Sequence, residues 1–152
     1  MSSVSLPYLQ ATYLPHQTYR ANLSASSSPA LNIPLGDATL SVFYDSTSEI
    51  NYSLIPVNTS YGTVVDVFRA SMYLGLVSAD DLDYSGFDSY TLTGTLAIDN
   101  GSYNQSNELW QAFIRVKAQD STWSTYFIHG FSSASGARTT VSVTTLEAGV
   151  TY

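Results

Sequence analysis

Along residues 90–147 apolar and polar side chains alternate with a period of two, the signature of strands with one buried face. In 90–98, Tyr90, Leu92, Leu96 and Ile98 share one side, and Thr91, Thr93 and Thr95 the other. Residues 109–118 set Trp110, Ala112, Ile114 and Val116 inward, with Gln111, Arg115 and Lys117 outward. Residues 123–131 are apolar on both sides, as in a central or doubly covered strand. Residues 139–146 carry Val141 and Val143 against a Thr/Ser side. The breaks at 99–101, 119–122 and 132–137 are short, which favours an antiparallel meander.

Upstream, Leu40, Val42 and Tyr44 alternate in 39–44, and Ile50, Tyr52 and Leu54 in 50–57. The turn-forming stretch 45–48 between them predicts a hairpin. Residues 58–62 read as a loop. In 63–76 two patterns compete. Thr63 and Asp66 resemble a helix cap, and Val65, Phe68, Met72 and Leu76 fall at helical spacing. The β-branched Val64, Val65 and Val67 favour a strand. The spacing tips the reading to a short helix near 63–76, followed by an acidic loop over 78–89.

Residues 1–36 differ from the rest. Four of the five prolines lie here, Pro7, Pro15, Pro29 and Pro34, and Arg20 is the only charged side chain. Proline fixes φ and removes donors, so this is an extended arm. It carries Leu6, Tyr8, Leu9, Tyr13, Leu14, Tyr19, Leu23, Leu31 and Ile33. The expected organisation is an extended, Pro-rich apolar arm over 1–36 and one β-rich domain over 37–152. The fold class is mainly β: an antiparallel β-sandwich, jelly-roll-like or meander, with one short helix.

Composition changes this picture in one respect. Charged residues make up 11% of the 152, against roughly 25% in an average globular chain. Much of the surface must therefore be hydroxyl, amide or covered by partners. The net charge of −7 and the scatter of the five basic residues speak against direct nucleic-acid binding, which needs clustered Lys and Arg. The absence of cysteine removes disulfides and thiolate metal sites. No apolar run reaches the ~20 residues of a membrane span. The start, Met-Ser-Ser-Val-Ser-Leu-Pro, lacks the basic and apolar regions of a signal peptide. Synthesis in the cytoplasm without a leader is expected, or a leader already removed. The five Asn-x-Ser sequons read as turn chemistry.

Candidate chemistry is sparse. Asp81, Asp83 and Ser85 before Gly86 copy the start of a calcium loop, with Asp88 nearby, but Leu92 stands where a bidentate Glu belongs. A solvated acidic turn is the better reading. His129 sits mid-strand with no partner that sequence can place, and His16 lies on the arm. Trp110, Trp123 and Tyr126 could form a sugar-stacking platform, but large aromatics more often anchor cores. Tyr61, Tyr84 and Tyr103 with Asn104 and Gln105 suggest an adhesive loop surface. Glu108 and Glu147 at strand ends do not form a glycosidase pair. No catalytic, cofactor or metal residues are assigned.

The expectation is a non-enzymatic structural protein, such as a virion capsid, surface or tail subunit, forming a homo-oligomer through the arm. The alternative is a lectin-like or carbohydrate-binding module with a glycan or host-surface ligand.

Overall fold

The computed structural model describes residues 15–23, 29–44, 49–75, 81–102, 106–133 and 138–152, with backbone alone for 49, 73–75, 81–85, 100–102 and 106. Among them are ten strands and no helix: β1 (His16–Ala21), β2 (Leu31–Leu35), β3 (Ala38–Tyr44), β4 (Glu49–Pro56), β5 (Thr63–Gly75), β6 (Asp81–Leu92), β7 (Leu96–Ser102), β8 (Ser106–Lys117), β9 (Trp123–Ser132) and β10 (Thr139–Val150). They form two antiparallel sheets. One has the order β1-β10-β9-β8-β5-β6, the other β2-β3-β4-β7. Each contains a run of consecutive neighbours, β8-β9-β10 and β2-β3-β4, because short connections return the chain beside the strand it has just left.

One buried cluster draws on both sheets. Ile33, Leu35, Leu40, Val42, Ile50, Tyr52 and Leu54 come from the smaller sheet; Val65, Val67, Trp110, Ala112, Ile114, Ile128 and Val141 come from the larger. Tyr52 on β4 stacks on Trp110 of β8 with ring centroids 4.4 Å apart and planes at 9°. The inward set expected for 109–118 is the buried set.

The helix expected near 63–76 is corrected: residues 63–75 are a strand paired with β6 and β8. Thr63, Val65, Val67 and Ser71 are buried with the period of a strand, while Met72 is exposed. Arg69 stands on the inward row between Val67 and Ser71, its guanidinium 3.3 Å from the buried Asp99. A polar side chain on the inner side, with Phe68 and Met72 on the outer, imitates helical spacing. Residue 76 lies outside the described residues.

The acidic loop expected over 78–89 is corrected over its described part, 81–89; residues 78–80 lie outside the described residues. From Asp81 onward the backbone is strand β6, with a register shift opposite Val67 and Arg69 that leaves an extra residue around Gly86. An extended backbone does not wrap a calcium ion as a tight loop does. The single strand read over 90–98 is two. β6 ends at Leu92, and β7 begins at Leu96 in the other sheet.

Of residues 1–36, β1 pairs with β10 and β2 pairs with β3, both within this chain. Leu23, Ile33 and Leu35 are in the core. The 36/37 boundary falls inside a two-residue hairpin turn, where Gly36 takes φ +65°. Pro34 is tolerated because β2 is an edge strand. Residues 1–14 lie outside the described residues.

Candidate interaction surface

The outer side of the six-stranded sheet follows from strand pleat and register. Inward residues of β5, β8 and β9 fill the core, so Phe68, Phe113, Phe127, His129 and Phe131 face away from it. One cross-strand ladder runs Thr144, Phe127, Phe113, Phe68. Phe113 and Phe127 have centroids 4.7 Å apart, and Phe68 lies 5.8 Å from Phe87 of β6. Two ladders along, Phe131, Leu109 and Met72 form a second apolar row. Phe87 is 67% exposed, and Met72, Leu109, Phe113 and Phe131 are exposed as well. Between the rows sit His129 and Gln111; the imidazole meets Phe127 edge-on at 4.9 Å.

This explains why 123–131 is apolar on both sides. β9 is central in its sheet, and among the described residues only its inner side is covered. A solvated sheet face normally carries polar residues in alternation. Large side chains stand here instead, in two apolar rows on either side of Gln111 and His129.

Charge bounds the patch at one end. Arg115 Nη1 is 3.3 Å from Asp66 Oδ2, and the Ser89 hydroxyl donates to Asp66 Oδ1 at 2.6 Å. The same guanidinium lies 4.6 Å from the Trp123 ring centre and 5.0 Å from that of Tyr152. Tyr152 donates to Glu147, and this hydrogen bond is the main reason the Glu147 carboxyl is held below its usual pKa.

Two other polar groupings differ in character. Asp37 Oδ2 accepts from the Tyr61 hydroxyl at 2.6 Å and from the Gln119 N–H at 2.9 Å, which ties the β2–β3 turn to the β8–β9 turn. Donating to that carboxylate raises the Tyr61 pKa. Asp37, Asn58 and Asp120 line an adjoining notch of about 600 Å³. Inside the protein, Tyr52 has its hydroxyl 3.4 Å from Ser132 Oγ, with Glu108 and Asp99 nearby. Burial and the Glu108 charge push its phenol well above the ordinary value. Glu108 is 0% and Asp99 3% exposed, so both are sealed from solvent.

The residues singled out from sequence are dispersed. Trp110 is wholly buried, Trp123 half-buried and Tyr126 buried, so the three do not form one surface platform. His16 Nδ1 is 2.9 Å from Thr144 Oγ1 at the β1 edge. Tyr61 binds Asp37, while Tyr84, Tyr103, Asn104 and Gln105 have no described side chains. Sequence reading missed the phenylalanine face. Its signal was there: a strand apolar on both sides, next to strands whose outward positions include Phe68 and Phe113. Among the described residues no three His, Asp or Glu cluster as metal ligands, and no helix is long and apolar enough to cross a membrane. No protein family, curated protein or solved structure matches the chain.

Proposed function

We propose that this chain is a non-enzymatic assembly subunit, a two-sheet sandwich whose outer aromatic face is covered by another copy in a structural particle such as a virion shell or tail. The phenylalanine face on β5, β8 and β9 carries the reading. The occupant that fits it is the segment 1–14 of a neighbouring copy. That segment has no charged residue and carries Leu6, Tyr8, Leu9, Tyr13 and Leu14. It joins the described chain at Pro15, whose carbonyl accepts from the Thr145 N–H at the β1 edge. Fourteen extended residues reach roughly 45 Å. Six strands are only about 24 Å across.

The sealed position of Glu108 and Asp99 supports a non-catalytic reading, since no substrate reaches them. The carbohydrate-binding reading has less support. Trp110 is buried under Tyr52, and the face of Trp123 holds the Arg115 guanidinium.

The test is solution mass by light scattering, for the parent chain and for a Phe113→Thr/Phe131→Thr variant. Threonine keeps strand propensity. A large assembly from the parent and a folded, smaller species from the variant are expected. Equal masses for the two would defeat the reading.

A further inference from the structure

β1 ends beside the start of β10: Arg20 pairs with Thr140, and Ala21 with Thr139. Arg138 stands one residue before β10. Its carbonyl accepts from the Ser133 N–H at 2.9 Å, and its own N–H donates to Ser133 Oγ at 2.9 Å. Those two bonds fix its backbone beside the end of β9. Arg138 is two residues from Thr140, so it lies diagonally across from Arg20, a separation that long side chains span. Both arginines line one notch of about 500 Å³, with Asn22, Thr139 and Thr140 in its walls.

Charge sets this notch apart. The chain holds five basic residues against twelve acidic ones. Arg69 and Arg115 each lie 3.3 Å from an aspartate, Asp99 and Asp66. Lys117 sits 5.9 Å from the Trp123 ring centre. Among the described residues neither Arg20 nor Arg138 has a carboxylate partner. The adjoining stretches 24–28 and 134–137 contain no Asp or Glu. In a chain so rich in acids, the two arginines that no described aspartate neutralises stand in the same notch. Like charges this close repel, and an anion between them removes the repulsion. A guanidinium presents a planar fork of N–H donors that matches the paired oxygens of a carboxylate, sulfate or phosphate group. Asparagine and threonine in the walls supply neutral groups suited to ligand hydroxyls. The volume is that of a small-molecule site. Two cations are too few for a nucleic-acid backbone.

We propose that this notch binds one oxyanionic group, a carboxylate, sulfate or phosphate, free or carried on a small polar ligand such as an acidic sugar. Arg20 and Arg138 hold the anion, and the Asn22 and Thr140 walls set the polarity of what it is attached to. The site needs no aromatic stacking platform. It is also independent of how copies assemble.

The test is calorimetric titration of the full-length protein at fixed ionic strength. The probes are glucuronate, glucose 6-sulfate and glucose 6-phosphate, with glucose as the neutral control. At least one anionic sugar should bind and glucose should not, and the tightest of the three identifies the charged group. Acetate, sulfate and inorganic phosphate form a second arm. Binding as tight as that of the matching sugar assigns the site to the free anion, and weaker binding assigns it to the sugar. Arg20→Gln and Arg138→Gln should each weaken binding at least about tenfold, the worth of one hydrogen bond to a charged group. Both side chains are exposed, so neither change removes core packing. Arg138→Lys should restore only part of the affinity, because lysine keeps the charge without the fork. Lys117→Gln removes the same charge elsewhere and should bind like the parent. No anion binding above that of glucose overturns the proposal. So does binding that survives both glutamine variants, or that falls equally in Lys117→Gln, since overall charge then accounts for it.

Discussion

Tyr52 shows what one residue does at the meeting of the two sheets. Its ring lies flat on Trp110, and its hydroxyl is held near Ser132 and Glu108, wholly out of water. Ionising it there would place a phenolate beside buried carboxylates, so its folded pKa lies well above 10.0. Above the unfolded value the unfolded chain releases a proton that the folded chain keeps. Stability is therefore full below about pH 10 and falls as pH rises beyond it. In an alkaline titration followed by phenolate absorbance, Tyr52 should ionise only in a cooperative step that coincides with unfolding. Tyr52→Phe should shift that unfolding to higher pH. A Tyr52→Phe protein with an unchanged alkaline midpoint would show that this phenol does not set the limit. The core position of Tyr52 was legible from alternation in residues 50–54. Its company was not, because the pattern along the chain does not reveal that Asp99 of β7 is its cross-strand partner or that Glu108 of the larger sheet lies nearby.

At the scale of elements, two-residue alternation identified most strands, and it failed where a local rule was broken. β5 was hidden by Arg69 and Ser71 on its inner row, and β6 by its aspartates and the irregularity at Gly86. The β2–β3 hairpin was missed although Leu35-Gly36-Asp37-Ala38 carries its turn signal, because Pro29 and Pro34 ahead of the turn drew the reading toward an arm. The β8–β9 hairpin holds a detail of the opposite kind. Its turn bonds Ser121 N–H to Ala118 C=O at 2.9 Å, and Ala118 N–H to Thr122 C=O at 2.8 Å. Asp120 accepts from Thr122, which lowers the Asp120 pKa. This geometry needs a left-handed residue, and Ser121 occupies that place with φ 71°. A side chain there is strained by roughly 1–2 kcal/mol. Glycine removes the strain but adds unfolded-state entropy. Ser121→Gly should therefore stabilise the protein by about 0.5–1 kcal/mol, read as a higher denaturation midpoint at unchanged m-value. A lower midpoint would mean that the serine hydroxyl contributes more than the strain removes.

For the whole molecule, the decisive question is how much of the N-terminal segment belongs to the fold and how much is free to join copies. Composition groups residues 1–36 together, since low charge and proline run through all of them. Packing divides them. Leu23, Ile33 and Leu35 are 1%, 0% and 0% exposed in the shared core, and β1 holds the edge of the larger sheet. Losing a buried Leu or Ile costs about 2–5 kcal/mol. Three such losses, with two strands, match the roughly 5–15 kcal/mol that holds a domain together. Removal of residues 1–36 should therefore leave an unfolded chain with no cooperative denaturation. Removal of residues 1–14 should leave the far-ultraviolet spectrum as it is and the melting transition cooperative, lowered only by the stabilisation that association contributed. Under the assembly reading, that shorter deletion uncovers the aromatic face and lowers the solution mass. Light scattering of the shorter deletion separates the contributions. A monomer makes the segment indispensable to assembly, and short oligomers make it one of several contacts. A mass equal to that of the parent would refute its role and leave the phenylalanine face to be covered by something else.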